Sequence, residues 1–238
     1  MRQSFFGGHL MKILDFKNID IKNHARTFFI RIDPEDLSLT IMEIIKALGD
    51  LSWINKFDPK YVRDSFYKRS KPTADYFANN LKLGIDDTVT RETGEYVVSE
   101  LAREAMISEM GYLNIPLGEI FKEQISGNPG FDIYSGTKDD LIVFGEAKYI
   151  KSQNAYGNAM KQVDRFIKEG QDTSDFVDID KFYGVKFFEN AEKGQKAYAV
   201  AFSSKATSTD KLINGILNNS HYKSLSKQTE IIYVAVNV

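Results

Sequence analysis

Cysteine is absent from the 238 residues. That removes disulfides, thiolate metal sites and cysteine nucleophiles, and it fits a reducing compartment, so the cytoplasm is the expected location. Histidine is nearly as scarce. His9, His24 and His221 share no ligand spacing, which argues against zinc hydrolysis and histidine–metal nuclease folds. No run approaches the roughly 18 uninterrupted apolar residues of a membrane span, and the opening Met1–Gly8 has too short an apolar stretch for a secretory signal. Neither a Gly-x4-Gly-Lys-Ser/Thr loop nor a Gly-x-Ser-x-Gly elbow occurs, so no ATPase or serine-hydrolase chemistry is expected. Internal repeats, low-complexity tracts and Pro/Gly/Ser-rich linkers are also missing.

What is present is an ordinary globular composition, 42% hydrophobic and 27% charged, enough for a sizeable core. The net charge of -2 excludes a protein that coats nucleic acid by bulk charge. Its distribution is uneven. Residues 169–192 carry seven acids against two lysines, and residues 193–228 carry six lysines against one acid, Asp210. The lysines could hold a phosphate backbone locally. The acids Asp172, Asp175, Asp178 and Asp180 could repel or mimic one, or simply cap helices and face solvent; both readings stand.

Two regions follow from the patterning. Residues 1–88 read as a mostly helical N-terminal lobe: a strand at Thr27–Ile32, a helix opened by Asp33-Pro34-Glu35-Asp36 and running to Leu48, and helical pattern at Lys60–Tyr67 and Lys71–Leu83, stopped by Gly84. Residues 89–238 read as an α/β (α+β) core with a mixed central sheet flanked by helices. Thr90 or Thr93 caps a helix that ends at Gly111, with Val97, Val98, Leu101, Ala105 and Met106 as its apolar stripe. A Gly127–Gly130 turn leads to a strand at Phe131–Tyr134. The run Leu141–Tyr149 begins as a strand buried on both faces. A helix near Asn154–Lys168 and strands at Ala197–Phe202 and Ile231–Val236 complete the core.

The candidate chemistry lies at the end of that buried strand. If Phe131–Tyr134 and Leu141–Tyr149 pair as a hairpin about Ser135–Asp139, Asp132 and Glu146 meet at one edge of the sheet. Two carboxylates at fixed separation are what a hard cation such as Mg²⁺ takes from a protein, the rest being water and substrate phosphate. Lys148 leaves the same face as Glu146 by the period of two, placed to orient or help deprotonate a water and to offset phosphate charge. Acid-x-Lys alone means little, since Asp15, Asp20 and Asp58 each begin one too. Only Glu146-Ala147-Lys148 closes a buried strand and follows an Asp-bearing strand at hairpin distance. A structural salt bridge is the plain alternative.

The spacing Asp132-x13-Glu146-x-Lys148 resembles the PD-(D/E)XK nuclease superfamily over about residues 90–168, although Phe131 stands where that motif has proline. The resemblance implies a restriction-endonuclease-like core, Mg²⁺-dependent hydrolysis of DNA with Mn²⁺ able to substitute, and metal held by Asp132, Glu146 and the carbonyl of Ala147, with Lys148 assisting the attacking water. It also implies a glutamate on the preceding helix. Glu95 lies on that helix's inward face, Glu92 shares the face one turn earlier, and Glu100 lies off it. An acid in a first turn also suits the helix dipole, so both roles are open for Glu95. On the helix after the motif, Gln162, beside Lys161, matches a glutamine that contacts nucleophile or phosphate; a solvated helix border is its alternative. The runs Phe144–Tyr149 and Asn154–Ala159, with Gly94-Glu95 upstream, are similar to the nuclease subunit of the Hachiman anti-phage defence system. That similarity implies a helicase partner. A stand-alone type II restriction endonuclease, and a non-catalytic DNA-binding or scaffold protein on the same fold, are the alternatives.

Overall fold

The computed structural model describes residues 3–6, 9–19, 25–83, 91–122 and 130–238. Gly84, Thr90, most of the Gly127–Gly130 turn and the boundary at 88/89 lie outside them. So do the side chains of Glu92 and its neighbours from 80 onward.

A seven-stranded mixed sheet organises the fold. Its strands are β1 (Gln3–Phe6), β2 (His9–Ile19), β3 (Arg26–Asp33), β4 (Ile133–Gly136), β5 (Ile142–Lys148), β6 (Ala197–Ser204) and β7 (Glu230–Asn237). They lie in the order β1-β2-β3-β7-β6-β5-β4. β5, β6, β7 and β3 run parallel, and antiparallel hairpins close both edges, β1–β2–β3 on one side and β4–β5 on the other.

β1, β2 and β3 therefore extend the sheet, where a mostly helical lobe is expected from the sequence. β2 escapes a sequence reading because its register shifts between Ile13 and Asp15. Met11 and Ile13 point into the core, but the bulge changes the phase and breaks the period of two that marks a strand. Helices do follow: α1 (Leu37–Gly49), capped by Asp36, which accepts from the Leu39 N–H, and α2 (Lys60–Leu83). α2 runs unbroken through Pro72, where two separate helical stretches are expected from the sequence. A proline there loses one backbone hydrogen bond, at a cost of about 3 kcal/mol, and the packing of Val62, Phe66 and Ala74 outlasts it.

Helices cover both faces. On one, α3 (Arg91–Met110) lays Val97, Val98, Leu101, Ala105 and Met106 over Val143, Ala199, Ala201 and Val234. The small side chains of β6 let this helix approach closely, and Gly111, with φ 66°, ends it. On the other, α5 (Tyr156–Glu169) packs Ala159, Met160, Val163 and Phe166 over Phe144, Tyr198 and Val200. Burying side chains such as Phe144, fully covered here, contributes about 2–3 kcal/mol each. One short helix precedes the β4–β5 hairpin, α4 (Gly118–Phe121). Between α5 and β6 the chain forms α6 (Gln171–Ser174), α7 (Phe176–Ile179) and α8 (Val185–Glu192). Between β6 and β7 it forms α9 (Thr209–Leu217) and α10 (Tyr222–Leu225). No helix among the described residues is long and apolar enough to cross a membrane.

Candidate active site

β4 and β5 pair antiparallel with Ile133 opposite Gly145, which sets the geometry at the open end of the hairpin. Asp132 stands one residue before β4. Its N–H donates to the Gly145 carbonyl at 2.9 Å, and its Oδ2 accepts from the Ala147 N–H at 2.9 Å. The side chain thus continues the ladder where the backbone of β4 has stopped. Two residues beyond Glu146 along β5, Lys148 Nζ donates to Glu146 Oε1 at 2.7 Å. Asp132, Glu146 and Lys148 converge as the hairpin arithmetic requires. Ala147 takes part through its N–H; its carbonyl makes no described contact with them.

Glu95 joins from α3, with Oε2 3.6 Å from Lys148 Nζ. Gly94 explains how. A Cβ at Gly94 would overlap the ring atoms of Tyr149, so glycine lets the first turn of α3 rest against the residue that follows β5. Glu100 turns elsewhere, buried against Arg103 at 2.7 and 2.8 Å. Gln162 is half-buried and Lys161 exposed on α5. Among the described residues no hydrogen bond or ion pair joins either to Asp132, Glu146 or Lys148.

One member of the cluster escapes the sequence reading. Glu119, on α4, lies within hydrogen-bonding reach of the Asp132 carboxyl and is felt electrostatically by Glu146. Gly118 seats it. The Gly118 N–H donates to the Asp132 carbonyl at 2.8 Å, and a Cβ there would stand 2.7 Å from the Phe131 carbonyl oxygen. Gly145 likewise has room for no side chain between Ile133 and Ala199. The chain contains three Gly-Glu dipeptides, at 94–95, 118–119 and 145–146, and all three deliver their glutamate here. That pattern is the signal that would have found Glu119.

Glu95, Asp132 and Glu146 therefore surround the Lys148 ammonium, while Glu119 feels the charge of Lys122. Burial, followed by the charge of Asp132, pushes Glu146 well above the ordinary carboxylate range. The same two causes push Glu119 up. Burial also raises Asp132, against the opposing pull of Lys148. Burial would lower the Lys148 amine, but the charges of Glu146 and Asp132 outweigh it and keep it protonated. Glu146 is 1% exposed, and its Oε2 has no hydrogen-bond partner; nor does Glu119 Oε2. Buried oxygens without donors are costly. Such oxygens take a proton or a hard cation. Among the described residues, however, no three acids or histidines form a group that could hold a metal ion, and Lys148 pairs with Glu146 at 2.7 Å.

Two acids of the stretch after α5 do different work from that weighed above, while Asp180 faces solvent as one reading had it. Asp172 and Asp175 are buried. Asp172 accepts from Lys196 at 2.5 Å and Tyr198 at 2.6 Å. Asp175 accepts from Tyr134 at 2.5 Å and the Phe131 N–H at 3.2 Å, and pairs with Lys122 at 3.0 Å. Neither can present charge to a phosphate backbone; they anchor the segment to β4 and β6. Asp180 is exposed and pairs with Lys181.

Compared with known proteins, the chain matches no family model, no curated protein and no solved structure. The functional reading rests on the residues themselves.

Proposed function

We propose that the chain is a metal-dependent DNA nuclease of the PD-(D/E)XK type on a restriction-endonuclease-like core, acting as the effector of an anti-phage defence system under the control of a helicase partner. The observation that supports it is the convergence of Asp132 with Glu146 and Lys148 at one sheet edge, which the β4–β5 pairing brings about.

Asp132 and Glu146 would hold Mg²⁺, which when bound supplies Lewis acidity to a phosphate oxygen and to the attacking water. The chain's own contributions can be stated residue by residue. The Ala147 N–H fixes the Asp132 carboxylate. Lys148, kept protonated, offers a donor and a positive charge to a phosphate oxygen. Glu95, on the far side of Lys148, holds the ammonium over the sheet edge. Weak unaided binding to DNA is consistent with the net charge of -2, and favours a partner that brings the DNA.

The test is cleavage of linear and circular DNA by the purified chain, alone and with proteins that co-purify from its operon. Mg²⁺ and Mn²⁺ should support cutting, EDTA should stop it, and Glu146→Gln should abolish it. Ca²⁺ should bind without turnover. Cleavage that survives EDTA or Glu146→Gln overturns the mechanism, and site-specific cutting by the isolated chain would replace helicase control with a restriction enzyme.

A further inference from the structure

We propose that the outward face of α2 binds single-stranded DNA, with Tyr61 and Tyr76 as stacking platforms and Lys68 and Arg69 as donors to phosphate. The inference rests on the nuclease reading for the choice of DNA, and adds a place outside the acidic cluster where a strand is held.

Charge marks this face first. Residues 60–76 hold five Lys and Arg against two Asp, in a chain whose net charge is -2. Both acids are already matched, Asp64 by Lys60 at 2.9 Å and Asp75 by Lys71 at 2.5 Å. Arg63 is committed to the carbonyls of Phe57 and Asp58. Lys68 and Arg69 remain, and among the described residues neither has an acid partner. The Arg69 guanidinium lies 5.1 Å from the centre of the Phe66 ring, and its buried Nε has no hydrogen-bond partner. A planar fork stacked on a ring, with one edge unserved, suits a phosphate oxygen.

The aromatic residues give a second, independent sign. The three most exposed aromatic side chains among the described residues are Tyr61, Tyr67 and Tyr76, and all stand on α2. A single exposed ring is ordinary. Here Tyr61, Ser65, Lys68, Pro72 and Tyr76 recur at helical spacing, all of them exposed, and form one stripe about 22 Å long. Beside Tyr61 and Arg69 a groove of about 310 Å³ separates α2 from the α7 segment. Asp178 and Asp180 also line it, and Lys181 pairs with Asp180 at 2.6 Å, which leaves Asp178 as the opposing charge. A duplex keeps its base faces stacked away and carries twice the charge of a strand over the same length. A single strand offers its bases to the tyrosines and asks for few cations. Phe66 of α2 and Phe121 of α4 both pack on Phe182, at 5.6 and 4.8 Å, so this face is fixed to the helical turn that carries Glu119.

Fluorescence anisotropy of labelled oligothymidylate with the full-length chain, in EDTA so that nothing is cut, tests this. Tyr61→Ala should weaken binding about tenfold, and Tyr61→Phe, which keeps the ring, should bind as the wild type does. Lys68→Ala and Arg69→Ala should each weaken it several-fold and reduce the slope of log affinity against log salt by about 0.7. Lys46→Ala removes an exposed lysine of α1 and should change neither. A wild-type chain that binds no oligothymidylate overturns the proposal and leaves this face to an acidic protein surface. Wild-type affinity in a folded Tyr61→Ala, Lys68→Ala double variant overturns it too, as does an equal loss from Lys46→Ala. So does tighter binding of duplex DNA or of oligouridylate. A chain that binds oligothymidylate through α2 yet cuts no DNA removes the nuclease reading and leaves this inference standing. One that cuts DNA while the double variant keeps its affinity does the reverse.

Discussion

Gly94 rests against the ring of Tyr149 so closely that no side chain fits between them. Alanine in a helix is ordinarily better than glycine by about 1 kcal/mol. Here the added methyl would meet the root of a buried ring, and overpacking of that kind costs about 1–3 kcal/mol. Gly94→Ala should therefore lower stability on urea unfolding, despite its helix propensity. It should also move Glu95 from Lys148 and reduce cleavage more than Glu95→Gln does. A stabilised Gly94→Ala with full activity would show that α3 is not seated this way.

Lys148 and Glu146 should behave as a coupled pair. Lys148→Ala takes from buried Glu146 the donor on its Oε1, and a buried acceptor left unserved costs about 1–3 kcal/mol. Adding Glu146→Gln to it should restore much of the stability but none of the activity. A double-mutant cycle of thermal midpoints and cleavage rates measures this. Additive losses would mean that the pair is not coupled.

Asp175 ties the α6–α7 segment to β4 through Tyr134, Phe131 and Lys122. Asp175→Ala should destabilise the chain by about 3 kcal/mol, and Asp175→Asn by less, since the amide oxygen can still accept. Asp180→Ala, exposed and paired with Lys181, should change stability by less than about 0.5 kcal/mol. Equal effects at the two positions would contradict the burial of Asp175.

Acid should attack a second point. Burial alone would raise the Asp164 carboxyl, but hydrogen bonds from Lys168, Ser224 and His221 outweigh it and hold it below its ordinary value. A depressed carboxyl contributes stability above its unfolded value, and loses it as pH falls through the lower folded one. The loss thus belongs below about pH 4. Asp164→Asn should be less stable than wild type at neutral pH, with the difference closing as the solution is acidified through that range. A difference that stays constant down to pH 2 would remove Asp164 from the acid transition.

The candidate cluster was legible in the sequence where the signal was local. An apolar run ending abruptly in Glu146 and Lys148, one hairpin after Asp132, sufficed to bring three residues together, and the inward face of α3 placed Glu95. Gln162 matched a pattern, and no described contact joins it to the cluster: bordering an apolar helix face does not decide how far along the sheet that helix lies. Glu119 was silent because α4 is a single turn, too short to show any periodicity. Asp172 and Asp175 looked like surface charge because their partners, Tyr198 and Tyr134, lie 26 and 41 residues away. The place of β3 beside β7 was hidden for a related reason. Parallel neighbours share no turn, so nothing in the intervening chain announces them.

That pairing has a consequence for how the protein is made. Arg26–Ile32 aligns with Glu230–Val236, and β7 lies between β3 and β6 rather than at an edge. Until the ribosome has passed residue 237, the hairpins at either side of the sheet have no strand to join them, and the facing edges of β3 and β6 are open to other chains. Contacts spanning some 200 positions also make the final closure slow relative to helix formation. Nascent or truncated chains lacking β7 would thus be prone to aggregate, and the insertion of this strand would bring the two halves of the sheet into register in one late step.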